Sequence, residues 1–266
     1  MSADSLASWL ALREPADKAA RSAALTQAIA AELLGDRPLR ILDLGGGTGS
    51  NVRYLSSRLP VPQQWLVIDR DPDLLSEVSG ASADCHVDTL CRNLGSLDDP
   101  AIFSGRHLVT ASALLDLVSD QWLRALAERC RTSRAAALFA LNYNGRSECM
   151  PVEAEDDAIR DLMNRHQRTS DQGFGRAAGP DAVDCAERRF AAAGYRVRRE
   201  ASDWMLLPEQ HELQRQLIEG WAKAAEEIAP EQTSMIHNWL ARRLAHVETG
   251  RSRVIVGHED LAAWLP

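Results

Sequence analysis

The residues with the clearest chemical potential form a glycine-rich segment that follows a short apolar run. The run Ile41–Leu44 leads directly into Gly45–Gly49, with Asp43 inside the run. Glycines let a backbone adopt positive φ angles and approach a ligand closely, and a helix that follows presents free N–H groups. A second apolar run ends at Asp69, where a carboxylate can accept hydrogen bonds from both hydroxyls of a ribose. Together these residues predict a nucleoside-binding turn.

Two positions in the same segment distinguish between nucleoside ligands. The dinucleotide fingerprint G-x-G-x-x-G that starts at Gly45 would need a third glycine where the chain has Ser50. Asp43 would also place a carboxylate beside a pyrophosphate, which is an unfavourable contact between like charges. A cationic nucleoside fits better, and S-adenosylmethionine carries an ammonium, a sulfonium and no phosphate. The pattern therefore disfavours a nucleotide-dependent oxidoreductase.

The elements that must position this segment alternate between strand and helix through the first half of the chain. Short apolar runs predict strands, and amphipathic stretches between them predict helices, including one over 17–34 that ends at Gly35. Strands that alternate with helices at this spacing predict an α/β fold with a parallel sheet covered on both faces. The predicted strands span residues 40–44, 64–69, 85–90, 107–112 and 135–142.

The second half of the chain is richer in helix. A polar, glycine-rich stretch over 165–179 predicts a mobile loop, and 195–206 has strand character. Two amphipathic helices over 208–228 and 231–247 precede a last strand over 251–257, so they are interpreted as an insertion. We expect one domain over 1–266, with a helical lid at 1–36 and helical cap insertions at 145–180 and 208–250.

Composition excludes some classes of function. The chain has 266 residues, 45% hydrophobic and 26% charged, with a formal net charge of −8. That hydrophobic content supports a sizeable core, and an acidic balance argues against a nucleic-acid partner. The five cysteines form no C-x-x-C pair, so we expect neither a zinc site nor disulfides, and no bound metal. No apolar run has transmembrane length and no signal peptide is visible, which predicts no membrane contact and a cytoplasmic location.

Four segments together resemble the class I S-adenosylmethionine-dependent methyltransferases. Asp43–Gly49 is similar to their first motif, D-x-G-x-G-x-G, and Val67–Asp69 to the acidic end of their second strand. Thr110–Asp116 resembles their fourth-strand motif, and Arg92-Asn93-Leu94 lies where the family often has G-D-L. The resemblance implies a Rossmann-like, doubly wound, seven-stranded sheet and S-adenosyl-L-methionine as cofactor. The segment Trp9–Asp17 is also similar to one bacterial subgroup of these enzymes.

The resemblance also implies which residues bind the cofactor. The glycines hold its methionyl part and ribose edge, an acidic residue lies near its ammonium, and another binds the ribose. An asparagine and a leucine contact the adenine, and an arginine before the first strand, Arg13 or Arg21, pairs with the carboxylate. The full set of expected cofactor residues is Arg21, Asp43, Gly45, Gly46, Gly47, Gly49, Asp69, Arg70, Asn93, Leu94 and Ser112.

Methyl transfer makes modest demands on the protein's own groups. The sulfonium already supplies the leaving group, so the protein mainly aligns the acceptor with the methyl. A general base is needed only when the acceptor loses a proton, and the candidates are Asp116, His166 and Tyr143.

Cap helices over the strand ends can enclose a ligand, so we expect methyl transfer to oxygen or nitrogen of a small-molecule acceptor. Two alternatives stay open, an RNA or protein methyltransferase and a non-catalytic S-adenosylmethionine-binding protein. An RNA substrate predicts a clustered arginine face, for which the candidates are Arg165, Arg168, Arg176, Arg188 and Arg189.

Overall fold

One mixed sheet, flanked by helices, organises the chain in this computed structural model, which describes residues 3–35, 38–79 and 83–266. The strands are β1 (Leu39–Leu44), β2 (Gln63–Asp69), β3 (Cys85–Cys91), β4 (Leu108–Ser112), β5 (Ala136–Met150), β6 (Arg196–Ala201), β7 (Trp204–Leu206) and β8 (Arg253–Trp264). The helices are α1 (Ala3–Ala20), α2 (Ala23–Glu32), α3 (Ser50–Leu55), α4 (Pro72–Ser76), α5 (Asp120–Ser133), α6 (Asp156–Thr169), α7 (Ala182–Ala192), α8 (His211–Ile228) and α9 (Thr233–Glu248).

The strand order is β3-β2-β1-β4-β5-β8-β6, with β7 also paired to β8. Strands β1 to β5 run parallel to one another, and β8 runs antiparallel to β5, β6 and β7. The α/β, Rossmann-like expectation is confirmed. Because β1, β2 and β4 are parallel, their carboxyl ends meet at one edge of the sheet, where ligands of such folds bind.

The expected count of seven strands is wrong, because the sheet has eight. The strand predicted over 195–206 breaks at Ser202 and Asp203 and yields β6 and β7. The Ser202 N–H donates to the His258 carbonyl, and Asp203 Oδ1 accepts from the His258 N–H at 3.0 Å. These bonds hold the break against β8, so the two short strands pair with different parts of that long strand.

Strand β5 continues past the parallel sheet to Met150, so residues 145–150 of the expected insertion extend the sheet instead. This end of β5 pairs with β8 on one side, and β7 pairs with β8 on the other. One face of this extension packs in a hydrophobic cluster with α6, α8 and α9, and the buried members include Trp204, Ile218 and Trp239. The helices α6, α8 and α9, which we call the cap, are therefore built directly on the extended strands.

An ion pair with a fully buried arginine joins α6 to α9. Arg243 has no exposed surface, and its guanidinium bonds both carboxylate oxygens of Asp156. Asp156 also accepts from Trp239 Nε1 at 2.8 Å and from the Glu153 N–H at 2.9 Å. None of the helices in the described ranges is long and apolar enough to cross a membrane.

The helix predicted over 17–34 is divided into α1 and α2. Ser22 separates them, and its hydroxyl accepts from the Leu25 N–H at 3.1 Å as an N-cap. The Ser22 N–H donates to Asp260 Oδ2 at 2.8 Å, which fixes the break to β8. One side of α1 packs on the cap through Trp9 and Leu12, so α1 lies between the cap and the edge where the parallel strands end.

The segment predicted as a mobile loop over 165–179 is partly helix, because α6 continues to Thr169. The remainder is a folded loop. Asp171 Oδ1 accepts from the N–H groups of Gly173 and Gly175, and Phe174 packs edge-on against Trp122 with ring centroids 5.9 Å apart. The glycines serve the turns of this loop and do not leave it unpacked.

Candidate functional site

A cavity of about 370 Å³ lies where β1, β2 and β4 end. Its walls come from the glycine turn after β1, the turns after β2 and β4, helix α1 and the loop that follows α6. The lining residues are Leu6, Leu10, Arg13, Asp17, Asp43, Gly45, Gly46, Gly47, Thr48, Ser50, Asn51, Asp69, Arg70, Asp71, Leu74, Arg92, Leu94, Ser112, Ala113, Leu114, Leu117, Gln172 and Phe174.

The glycine turn fits its surroundings closely at two positions. A Cβ at Gly46 would lie 2.3 Å from Val67 Cγ1 and 2.8 Å from Asp43 Oδ2, so only glycine lets the turn approach β2 this closely. Gly47 has a φ of +51°, and its N–H donates to Asp69 Oδ2 at 2.9 Å. The turn and the acidic end of β2 thus form one hydrogen-bonded unit.

Asp69 is oriented by that bond and by a second one. Its Oδ1 accepts from the Asp71 N–H at 3.1 Å, and the side chain lines the cavity. Each carboxylate oxygen can accept two hydrogen bonds, so both retain capacity for a ligand hydroxyl. The carboxylate is held in place before any ligand arrives.

Asp43 lies beneath the turn with no exposed surface. Its Oδ1 accepts from Asn51 Nδ2 at 2.7 Å, whereas its Oδ2 has no hydrogen-bond partner in the described part of the chain. Burial raises the pKa of Asp43 to about 7, because the charged form loses its hydration. Asn51 Oδ1 in turn accepts from Arg21 Nη1 at 2.7 Å, so one amide links the carboxylate to a guanidinium.

Arg21 is buried beside a side chamber of about 170 Å³. The chamber shares Asp17, Ser50 and Ser112 with the main cavity. The guanidinium stacks over the Tyr54 ring at 4.1 Å, and its Nε and Nη2 have no partner among the described residues. Burial lowers the pKa of Arg21. Among the described residues, the cavity therefore has an unpaired carboxylate oxygen at Asp43, and the adjoining side chamber has unpaired guanidinium donors at Arg21.

The opposite end of the cavity is closed by the loop after α6. Arg70 Nη1 donates to the Gln172 carbonyl at 3.3 Å. A Cβ at Gly95 would lie 2.4 Å from the Gly173 carbonyl oxygen, so the loop rests directly on the chain after β3. Phe174, on the same loop, contributes an aromatic ring to the lining.

Helix α1 supplies the remaining wall and its one cation, Arg13. Arg13 Nε donates to Asp17 Oδ2 at 2.9 Å, and its guanidinium lies over the Trp204 ring at 4.9 Å. Trp204 Nε1 donates to the other oxygen of Asp17 at 2.9 Å. Burial raises the pKa of Asp17 even though Arg13 and Trp204 both act to lower it. Arg13 is therefore held in position by Trp204 of β7 and by Asp17 of its own helix.

The structure brings most of the predicted cofactor residues to the cavity but not all of them. Gly49 caps α3 with a φ of +82° and is not part of the lining. Asn93 is exposed, and its Oδ1 accepts from the Gly95 N–H at 2.7 Å, so its side chain closes a turn. Arg21 faces the side chamber. The predicted residues on the lining are Asp43, Gly45, Gly46, Gly47, Asp69, Arg70, Leu94 and Ser112.

The three predicted catalytic residues do not line the cavity. His166 lies on α6 and its Nε2 is 2.9 Å from Glu227 Oε2 on α8, within the cap. The Tyr143 hydroxyl donates to Asn164 Oδ1 at 2.9 Å, and burial raises its pKa. Asp116 is the nearest of the three in sequence to lining residues, because Leu114 and Leu117 flank it.

Sequence reasoning missed Asn51, Asp17 and Phe174. Asn51 sits in the first turn of α3, where a polar residue after a glycine turn was a visible signal. Phe174 and Asp17 carried no such signal, because their role depends on how a loop and α1 fold back over the sheet. Within the described ranges, no group of three or more His, Cys, Asp or Glu side chains is placed to hold a metal ion.

Comparison with known proteins identifies the fold. No protein-family model matches the chain, and no curated protein is similar to it in sequence. The YcgJ protein from Bacillus subtilis has a TM-score of 0.50 at 12% identity, over 91% of this chain and 98% of that one. The cyclopropane synthase MmaA2 from Mycobacterium tuberculosis has a TM-score of 0.48 at 11% identity, over 90% and 82%.

A third similar structure is phosphoethanolamine N-methyltransferase 2 from Haemonchus contortus, in complex with phosphomonomethylethanolamine and S-adenosylhomocysteine. Its TM-score is 0.47 at 11% identity, over 100% of this chain and 58% of that one. At these identities the comparisons show the fold alone. The chain therefore has a Rossmann-like α/β fold, similar to that of the YcgJ protein.

Proposed function

We propose that this chain transfers a methyl group from S-adenosyl-L-methionine to a small-molecule acceptor. The observation that carries the proposal is a pair of unpaired buried groups, Asp43 on the cavity and Arg21 on the side chamber beside it. Within the described residues, Asp43 Oδ2 lacks a donor, and the Nε and Nη2 groups of Arg21 lack an acceptor. An α-amino acid has the complementary groups, an ammonium for Asp43 and a carboxylate for Arg21.

Unpaired buried polar groups of this kind are rare, because each costs about 1–3 kcal/mol relative to a satisfied group. Asp43 and Arg21 are joined only through Asn51, so neither satisfies the other. A ligand with a zwitterionic end would satisfy both. A dinucleotide would instead bring a phosphate to Asp43, which repels it.

The other end of the cavity suits an adenosine. Asp69 is held at the end of β2 with accepting capacity for two hydroxyls. Leu74, Leu94 and Phe174 line the space beyond it and offer apolar and aromatic contact to a flat base. The order of these groups along the cavity, from amino acid to ribose to base, matches the order of groups in S-adenosylmethionine.

The cofactor would supply an activated methyl group on a sulfonium, and the chain's own residues would bind and orient. Asp43, Arg21 and Asp69 hold the cofactor at its two ends, and alignment is the main source of rate in such a displacement. Helix α1 covers the cavity through Leu10 and excludes water. In this proposal the chain acts as one domain in which the cap helices hold α1 in place.

A small acceptor is favoured over RNA because two of the five arginines of the expected face are paired with carboxylates. Arg168 pairs with Asp181, and Arg189 pairs with Asp120. Arg176 donates to the Arg168 carbonyl. Arginines engaged in this way are poor competitors for phosphates.

The proposal is tested by isothermal titration calorimetry with S-adenosylmethionine and S-adenosylhomocysteine. Both should bind, and Asp69→Ala should weaken binding by about 1.5–3 kcal/mol, because a hydrogen bond to a charged group is lost. Asp73→Ala is the matched control, since Asp73 is an exposed carboxylate on the neighbouring α4 and should bind as the wild type. Folded wild-type protein that binds neither ligand, or an Asp69→Ala variant with unchanged affinity, contradicts the proposal.

A further inference from the structure

A second cavity, of about 320 Å³, lies over the amino ends of β1, β2 and β3. Its floor is a row of side chains across the three strands, because Arg40 of β1 is paired in register with Gln64 of β2, and Gln64 with His86 of β3. Each of these residues is the second of its strand. None of the residues that line this cavity lines the candidate cofactor cavity, which lies where the strands end.

The turn before β4 forms another wall of this second cavity, through Ser104 and Arg106. The turn is bonded to β1 in both directions. The His107 N–H donates to the Arg40 carbonyl at 2.8 Å, and the Arg40 N–H donates to His107 Nδ1 at 2.9 Å. The Arg40 guanidinium extends to this turn, since a Cβ at Gly105 would lie 3.3 Å from its Nη1. Two arginines therefore face one cavity from a strand and a turn that are fixed to each other.

Neither guanidinium in this cavity has a carboxylate partner in the described part of the chain. Arg106 Nε donates to the Ile102 carbonyl at 3.0 Å, and its two terminal nitrogens have no bond to a described residue. Burial and the charge of Arg40 both lower the pKa of Arg106, so the two cations repel each other. An anion bound between them would convert this repulsion into two attractions.

The end of the cavity on β3 has a different character. His86 Nε2 lies 3.2 Å from Asp88 Oδ1, and both side chains are largely exposed. The Asp88 carboxylate would repel an anionic group placed beside it, but it can accept hydrogen bonds from hydroxyl groups. A ligand that fits both ends therefore has an anionic group for the arginines and hydroxyl groups for Asp88.

We propose that this cavity binds a small phosphate monoester that carries hydroxyl groups. A phosphate monoester has a charge of about −1.5 to −2 at neutral pH, which two guanidiniums match, and its oxygens suit the planar fork of an arginine. Gln64 and Ser104 also line the cavity and can donate to the remaining phosphate oxygens. The cavity volume falls in the range of small-molecule sites, about 300–1,000 Å³, so it has room for more than the phosphate group.

Isothermal titration calorimetry with ribose 5-phosphate, inorganic phosphate and ribose tests the proposal. Ribose 5-phosphate should bind most tightly. Inorganic phosphate should bind more weakly because it has no hydroxyl groups to reach Asp88, and ribose should not bind because it has no charge. Arg40→Gln and Arg106→Gln should each weaken the binding of ribose 5-phosphate about tenfold or more, since a hydrogen bond to a charged group is lost.

Three further variants control for fold and for overall charge. Arg40→Lys keeps the charge and should bind more tightly than Arg40→Gln. Arg124→Gln removes an exposed positive charge elsewhere, on α5, and Arg70→Gln removes one from the cofactor cavity. Both should bind ribose 5-phosphate as the wild type does. Circular dichroism checks that each variant is folded, and Arg40→Gln changes only an exposed side chain.

The contrary outcomes are distinct from one another. The proposal is overturned if ribose 5-phosphate does not bind, or if Arg124→Gln weakens its binding as much as Arg40→Gln does, because overall charge then accounts for the attraction. A loss of binding in Arg70→Gln alone would place the phosphate in the cofactor cavity. Ribose or inorganic phosphate that binds as tightly as ribose 5-phosphate overturns the assignment of an ester. A single-stranded RNA that binds more tightly, and depends on Arg106, overturns the assignment of a small molecule.

Discussion

Two carboxylates in this molecule, Asp156 and Asp43, have opposite surroundings. Asp156, in the cap, accepts hydrogen bonds from Trp239, from the Glu153 N–H and from the Nε and Nη2 groups of Arg243. Asp43, under the glycine turn, receives one bond from Asn51 and leaves Oδ2 unpaired. The comparison teaches that a buried charge satisfied within the fold serves structure, whereas one left unsatisfied indicates a ligand.

The largest expected effect is on the cap. Arg243→Met should lower the free energy of unfolding by about 3–5 kcal/mol, because the partly exposed Asp156 loses its cation and the Pro151 carbonyl loses its donor. Urea denaturation followed by circular dichroism measures the change. The folded fraction should still bind S-adenosylhomocysteine with wild-type affinity, because Arg243 lies in the cap and not on the cavity. A loss smaller than 1 kcal/mol would mean that Asp156 is satisfied without Arg243.

Asp43→Asn should weaken ligand binding and stabilise the ligand-free protein, which is the opposite of the effect expected for Arg243→Met. The variant should bind S-adenosylhomocysteine at least tenfold more weakly, because the ligand ammonium loses its anionic partner. Ligand-free protein should become more stable at pH 8, by about 1–3 kcal/mol, because an unsatisfied buried charge is removed. Calorimetry and urea denaturation report the two effects separately. A variant that loses stability as well as affinity would place Asp43 in the same structural class as Asp156.

The pKa of Asp43 predicts a pH dependence with a definite sign. Burial raises this pKa to about 7 in the ligand-free protein, so folding favours the protonated form. The contribution to stability is therefore fully present below the ordinary carboxyl pKa and is lost as pH rises to about 7. Thermal denaturation of ligand-free wild-type and Asp43→Asn protein across pH 4–8 measures the difference, which should grow with pH and level off above 7.

Ligand affinity should change in the other direction over the same range. An ammonium that pairs with Asp43 favours its ionised form, so binding below pH 7 must first release a proton. The dissociation constant of S-adenosylhomocysteine should fall about tenfold from pH 6 to pH 8. Calorimetric titrations at each pH check this, and Asp43→Asn should show a flat profile. A wild-type profile equally flat would show that the ammonium lies elsewhere.

The smallest expected effect concerns an exposed charge pair. Arg124 and Glu128 lie one helical turn apart on α5 with both side chains largely exposed. Arg124→Gln should change the free energy of unfolding by less than about 0.5 kcal/mol, because water screens such a pair. Urea denaturation should give overlapping curves for variant and wild type, and ligand affinity should be unchanged. A larger shift would show that charge pairs matter here regardless of burial.

The cofactor end of the site was predictable because its residues lie close together in sequence. Asp43 and the glycines belong to a single strand and turn, and Asp69 ends the next strand. A parallel sheet brings such strand ends to one edge. His166 and Tyr143 could not be assigned in this way, since their placement depends on how α6 and β5 pack in the cap.

The prediction of seven strands was wrong for a related reason. The run 195–206 has strand character throughout, but a hydrogen bond from the Ser202 N–H to the His258 carbonyl and one from the His258 N–H to Asp203 divide it into β6 and β7. His258 is more than fifty residues away in sequence (|i−j| = 55 for its bond to Asp203). Local strand propensity depends on neighbouring residues and cannot indicate a hydrogen-bond partner so far along the chain.

The sequence by itself determined the alternating α/β pattern, the glycine turn and the acidic strand ends, because periodicity and backbone freedom are local properties. Only the tertiary structure decided which polar groups stay unsatisfied. Asn51 reaches Asp43 and Arg21, yet Asp43 Oδ2 and two groups of Arg21 find no partner in the described chain. Whether a buried group is paired depends on distant elements meeting in space, and the unpaired groups here are the basis of the proposed ligand site.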